Sequence, residues 1–200
     1  MKNLAILISG RGSNFEAIAR NVADGKIPAK IAVVVSNREE APGLARARQL
    51  GLNARFIPSH GKDREAYDRE VVAILKELHV DLVCLAGFMR ILSPYFIREF
   101  PGRILNIHPA LLPAFPGADA QKQALEYGAK ISGCTVHIVD EGVDTGPILC
   151  QAAVPVLDGD TVETLSARIL KEEHRIYTEA ICLLLEDRVR IEGRSVLVPR

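Results

Sequence analysis

The chain has 200 residues, 48% of them apolar, enough to bury one sizeable core, so one compact domain is expected over 1–200. Lysine plus arginine and aspartate plus glutamate balance at 25 each, which excludes the overall basic field that draws a protein to nucleic acid or acidic lipid; an anionic ligand must be held by a local site. No apolar run has the length to cross a bilayer, and the opening MKNLAILISG runs at once into RGSN rather than a cleavage region, so neither membrane nor nucleic acid is an expected partner and the expected address is cytoplasmic.

In chain order, residues 4–9 (LAILIS) read as a short apolar strand ending at Gly10, and 14–20 carry helical spacing through Phe15, Ile18 and Ala19. Residues 30–36 repeat the strand signal, 42–50 read as a helix closed by Gly51, and 54–57 as a brief third strand. Residues 63–79 space Tyr67, Val71, Ile74, Leu75 and Leu78 along one helical face, and the run 82–86 that follows stops at Gly87. Ser93 and Pro94 form a cap and a first-turn proline for a short helix ending near Phe100; residues 104–108 are a fifth strand.

Continuously apolar strands separated by helices predict an α/β, Rossmann-like fold with a mostly parallel sheet flanked by helices, and such folds bind ligands at the C-terminal ends of their strands. After Gly117 the pattern changes. Residues 131–139 and 149–156 are joined by a loop alone, which predicts an antiparallel C-terminal extension. Residues 161–186 read as a long C-terminal helix capped by Asp160 or Thr161, with an edge strand or hairpin over 188–198. Cys84, Cys134, Cys150 and Cys182 have no C-x-x-C spacing and lie in apolar segments, so they read as reduced core thiols, and no metal is expected.

Four segments are candidates for chemistry. SGRGSN (9–14) follows a strand and opens a helix, so its glycines and the helix N-terminus suit a phosphate; a plain tight turn fits the same residues, and neither the dinucleotide fingerprint nor the Walker lysine is present. In ILNIHPALLPAFPG (104–117), Asn106 and His108 are two apart on a strand and share a face. An amide N–H beside a protonated imidazole supplies the donors that a tetrahedral oxyanion needs, each typically worth about 3–4 kcal/mol of barrier. The same pair also reads as a turn-capping asparagine and a hydrogen-bonded core histidine. Pro109, Pro113 and Pro116 stiffen the loop that follows, and the Leu112–Pro113 bond is a candidate for the cis isomer. DEGVDTGP (140–147) holds three carboxylates in a turn, which is ordinary for a solvated loop; one of them within about 4–6 Å of His108 would favour the protonated imidazole. GFMRIL (87–92) at a strand end suits a flat apolar ligand, with Arg90 and Arg64 available to carboxylates; an ordinary strand-to-helix loop with an exposed arginine fits the same residues.

Taken in order, SGRGSN, LAGFMRILSP, NIHPALLPAFPG and the V-D-x-G-P of 143–147 resemble the phosphoribosylglycinamide formyltransferases, a branch of the folate-dependent formyltransferase family, over almost the whole chain. The resemblance implies formyl transfer from 10-formyltetrahydrofolate to the amine of glycinamide ribonucleotide in purine synthesis, by a single domain with a phosphate-binding part (1–105) and a catalytic and folate-binding part (106–200). It implies that Gly12, Ser13 and Asn14 cradle the substrate phosphate and that Glu173 holds its glycinamide end. Arg64, Met89, Arg90, Ile91, Leu92, Asn106 and the loop Asp140, Glu141, Gly142, Val143, Asp144 would contact the folate. Asn106 would bind the formyl group, His108 would donate the proton and Asp144 would raise the histidine's pKa. Asp119 stands where many relatives carry histidine. Rival readings are another folate-dependent formyltransferase, a formyltetrahydrofolate hydrolase and a non-catalytic nucleotide-binding module; the first two would be expected to need a further domain.

Overall fold

A computed structural model describes residues 1–198. The elements in chain order are β1 (Lys2–Ile8), α1 (Ser13–Ala23), β2 (Ala29–Ser36), α2 (Pro42–Gln49), β3 (Ala54–Phe56), α3 (Arg64–Glu77), β4 (Leu82–Leu85) and α4 (Pro94–Glu99). There follow β5 (Ile104–His108), α5 (Ala120–Tyr127), β6 (Ile131–Ile138), β7 (Ile148–Pro155), α6 (Val162–Leu185), β8 (Arg190–Glu192) and β9 (Ser195–Leu197). The chain divides into two compact units, Met1 to Leu105 and Asn106 onward.

In the first unit the strands run β3-β2-β1-β4. β1 pairs in parallel with both β2 and β4, and β2 with β3, so the order reverses beside β1. Leu4 to Ile8 of β1 and Val33 to Val35 of β2 are fully buried, which is why these strands are apolar without alternation. Right-handed crossovers that first step from β1 toward β3 and then return to β4 send their helices to opposite faces, in keeping with α1 packing beside α2 and α3 beside α4. Asp63 caps α3 through Ala66 N–H (3.0 Å), and Ser93 caps α4 through Phe96 N–H (3.3 Å).

In the second unit the strand order is β5-β6-β7, with β6 and β7 antiparallel. Gly133 of β6 lies so close to the Ala152 carbonyl that no side chain fits, and β7 carries an extra residue where Val136 and His137 face Cys150 and Ile148. The Leu112–Pro113 peptide is cis. The long helix α6 starts at a reciprocal cap: Thr161 Oγ1 accepts from Thr164 N–H at 3.3 Å and Thr164 Oγ1 from Thr161 N–H at 2.9 Å.

The fold is the expected α/β one: a mostly parallel sheet flanked by helices, with an antiparallel addition and a long C-terminal helix. The tail is a hairpin, β8 with β9. One element departs from expectation. Helix α5 interposes between β5 and β6, where the sequence offers no apolar stripe, because α5 buries only Ala120 and Ala124. Its length of 8 residues and its polar face leave little periodicity to read.

Candidate active site

The first unit gathers backbone groups around the end of β1. Gly12 stands at the N-cap of α1 with φ 79°, and a β-carbon there would lie 3.0 Å from Gly43 Cα. Gly43 in turn donates its N–H to the Gly10 carbonyl at 3.1 Å, so the start of α2 is packed against the turn. Ser13 and Asn14 open α1, whose first N–H groups have no carbonyl one turn earlier to bond. Ser9 ties this turn to the segment after β4: its hydroxyl accepts from Met89 N–H (2.8 Å) and donates to Asn37 Oδ1 (2.6 Å), while Ser9 N–H bonds the Gly87 carbonyl (3.1 Å). Both segments therefore sit where the strand order reverses, the position at which open α/β sheets form a crevice.

Of the expected folate contacts in this unit, Met89 and Ile91 are exposed (72% and 48%) and Leu92 is buried. Arg64 is the exposed first residue of α3. The Arg90 guanidinium stacks on the Tyr67 ring, 4.5 Å from its centre. Beneath this pair lies an acid the sequence does not advertise. Asp68 is buried and accepts from Ser93 N–H at 2.6 Å; burial pushes its carboxyl up, against the lowering effect of Ser93 and the positive charges of Arg90 and Arg64.

The second unit is organised by one carboxylate. Asp144 lies in the loop between β6 and β7 with φ 54°, a left-handed conformation that turns its side chain back toward the end of β5. Its Oδ2 accepts from Gly117 N–H at 2.8 Å and lies 3.3 Å from His108 Nδ1. Its Oδ1 faces Asn106 Nδ2 at 3.4 Å and His137 Nε2 at 3.5 Å. Burial alone pushes the Asp144 carboxyl up, yet hydrogen bonding from His137 and Gly117 and the charges of His108 and His137 outweigh it and hold its pKa below the ordinary carboxylate value.

His108, 4% exposed, has its other nitrogen, Nε2, 2.8 Å from the Phe115 carbonyl. Both ring nitrogens thus face acceptor oxygens, and each is matched when it carries a hydrogen. Phe115 has φ 51°, so the proline loop presents that carbonyl from a strained turn. Asn106 shares the face with His108, as the spacing predicts, but its amide nitrogen is engaged within the protein: besides Asp144 it contacts His137 Nε2 at 3.2 Å.

Asn106, His108 and Asp144 are therefore brought together. Asp140 braces the loop, accepting from Thr145 Oγ1 (2.6 Å) and Gly142 N–H (3.2 Å), while Glu141 and Val143 are exposed. Glu173 is buried on α6. Asp119 is exposed at the N-cap of α5 with φ 55° and makes no capping bond there.

Sequence reasoning missed His137. It lies at the end of β6, 2% exposed, with Nδ1 3.1 Å from the Ile138 carbonyl. The signal was present in ISGCTVHIV: alternation sets Thr135 and His137 on one face of a strand that otherwise reads as apolar throughout. Among the described residues no group of three or more His, Cys, Asp and Glu is placed to hold a metal ion.

A glycine turn at a sheet reversal in one unit, and in the other a carboxylate gathering two imidazoles and an amide, define an α/β protein with the groups for anion binding and for acid–base chemistry. The formyl transferase model matches residues 2–181, and the chain belongs to that family. It is 44% identical to the phosphoribosylglycinamide formyltransferase of Escherichia coli over 96% of this chain and 92% of that protein. It is 53% identical to the trifunctional purine biosynthetic protein adenosine-3 of Drosophila melanogaster over 99% of this chain, but spans only 14% of that protein's length. The crystal structure of glycinamide ribonucleotide transformylase 1 from Symbiobacterium toebii superposes with a TM-score of 0.98 at 54% identity, covering 100% of this chain and 95% of that one.

Proposed function

We propose that the chain transfers the formyl group of 10-formyltetrahydrofolate to the amine of 5-phosphoribosylglycinamide in de novo purine biosynthesis, acting as one formyltransferase domain over 1–200 in the cytoplasm. The observation that carries this reading is the arrangement of Asn106, His108 and His137 around the Asp144 carboxylate in a chain of the formyl transferase family.

The neutral amine attacks the formyl carbon and a C–N bond forms. Asn106 and His108 receive the resulting oxyanion, and the Asp144 carboxylate, 3.3 Å from His108 Nδ1, orients the imidazole and balances its charge when it is protonated. A proton then passes from the attacking nitrogen to the folate nitrogen as the old C–N bond breaks, leaving tetrahydrofolate and the formylated amide. The nucleophile belongs to one substrate and the electrophile to the other, so no side chain is acylated. In this reading Gly12, Ser13 and Asn14 hold the ribonucleotide phosphate and Glu173 its amine-bearing end. Arg64, Met89 to Leu92 and Asp140 to Asp144 line the folate.

One assay tests the proposal: 10-formyltetrahydrofolate is offered with glycinamide ribonucleotide, with methionyl-tRNA, or with water alone. Formyl transfer to the ribonucleotide amine is expected. Transfer to the tRNA, or formate release alone, would replace the reading with one of its relatives, and inertness toward all three would leave a binding module.

A further inference from the structure

The formyl-transfer reading asks Asn106 for an N–H donor, yet Asn106 Nδ2 is turned inward onto His137 Nε2 (3.2 Å) and Asp144 Oδ1 (3.4 Å). His137 decides whether that can change. Its Nδ1 faces the Ile138 carbonyl at 3.1 Å, and a carbonyl only accepts, so Nδ1 carries a hydrogen. With Nδ1 protonated and the ring neutral, Nε2 is a bare lone pair. It accepts one hydrogen of the Asn106 amide, Asp144 accepts the other, and Asn106 presents its carbonyl oxygen outward.

The reverse amide orientation beside a neutral His137 would set the Asn106 oxygen against the Nε2 lone pair and the Asp144 carboxylate, three acceptors without a hydrogen among them in a site where His137 is 2% exposed. Moving the hydrogen to Nε2 alone would set a bare Nδ1 against the Ile138 carbonyl. The one other satisfied arrangement has both nitrogens protonated. Nε2–H then donates to the Asn106 oxygen and toward Asp144 Oδ1, 3.5 Å away, and the amide turns its NH2 outward.

We propose that His137 is a positioning residue whose protonation sets which end of the Asn106 amide faces the substrates, giving an oxyanion donor only when Nε2 carries a hydrogen. The inference deepens the formyl-transfer reading and rests on it for its consequence, though not for its geometry. The charged groups around His137 are Asp144 and, through that carboxylate's other oxygen, His108. On α6, which packs on β6, the charges of Glu172, Glu173 and Arg175 act on Cys134 of the same strand. β7 places Ile148 opposite His137 and contributes no charge at that point.

The test begins with nitrogen NMR of the unliganded wild-type protein over pH, which needs no turnover. As His137 Nε2 passes from bare to hydrogen-bearing, the side-chain NH2 resonances of Asn106 are expected to shift in step. Asn106 signals that stay constant while His137 Nε2 gains its hydrogen would overturn the proposal. The second arm is kinetic. His137→Leu, which has no hydrogen to give the Asn106 oxygen, is expected to lower kcat by roughly 10²- to 10³-fold, the loss typical of one oxyanion donor, with KM for both substrates changed less than about threefold. It is also expected to remove the decline of kcat that accompanies loss of the His137 proton. An unchanged kcat and pH profile in the variant would overturn the proposal as surely. A protein that gives the NMR result but formylates another acceptor would instead retain the amide coupling and refute the choice of substrate.

Discussion

The two units of the chain prepare for ligands by different means. Around the end of β1 the groups on offer are backbone N–H groups, and what protects them is the absence of side chains: Gly12 and Gly43 approach so closely that a β-carbon on either meets the other's Cα at 3.0–3.1 Å. Beyond Leu105 the working groups are side chains, and what positions them is charge, since Asp144 holds Gly117, His108, Asn106 and His137 through its two oxygens. The difference teaches where each half is vulnerable. The first should fail when volume is added and the second when charge is removed.

Asp144→Asn breaks the second half most directly and carries the largest expected effect. Without the carboxylate charge His108 loses its anionic neighbour, and kcat is expected to fall by roughly 10²- to 10⁴-fold, the range for disabling a general acid, with modest change in either KM. A stability measurement sharpens this. The folded-state pKa of Asp144 is depressed below the ordinary carboxylate value of 3.8, so its ionised form stabilises the fold fully above that value, and the contribution is lost as pH falls through the lower, folded value. The stability gap between wild type and Asp144→Asn, read from denaturant midpoints, should therefore be flat near neutrality and shrink in acid. A gap that widens as pH drops would contradict the depressed pKa.

Gly12→Ala breaks the first half by volume. A left-handed conformation costs a residue with a β-carbon about 1–2 kcal/mol, and here the added methyl also meets the Gly43 backbone at 3.0 Å. Alanine should raise KM for the ribonucleotide by about tenfold while leaving kcat within a few-fold. A loss confined to kcat would show that the turn serves the chemistry and not the phosphate.

The contrast also explains what the sequence could tell. β5 is legible to the residue, 104–108, because an apolar strand ends abruptly on polar side chains and prolines. The α1 turn is legible from its glycines, since a positive φ at Gly12 demands that residue. His137 was hidden for the opposite reason: seven of the eight residues of β6 are buried, so a strand that reads as apolar throughout conceals its one imidazole. The contact from His108 to Asp144 spans 36 residues of chain and depends on the left-handed turn at Asp144, a conformation that aspartate tolerates but does not demand. Asp68 was hidden likewise, its partner being the N–H of Ser93, which leaves no trace in composition.

The smallest expected effect tests how independently the Asp144 loop stands. Arg194, in the turn of the β8–β9 hairpin and outside the family-matched residues 2–181, donates from Nη2 to the Thr145 carbonyl at 3.0 Å. Thr145 follows the left-handed Asp144, so this bond restrains the backbone from which the carboxylate projects. The hairpin is exposed, and a charged donor on a solvated carbonyl should contribute at the low end of its class, about 1 kcal/mol, or about fivefold in an equilibrium. Arg194→Ala should accordingly raise KM for the folate by about two- to fivefold, leave kcat within about twofold, and quicken hydrogen exchange at the amides of residues 144–146. Arg194→Lys, which keeps the charge but not the planar fork, should fall between. Exchange rates that do not move would place the restraint of Asp144 wholly in its own four contacts. A kcat loss as deep as that of Asp144→Asn would show instead that the carboxylate cannot hold its place without the hairpin.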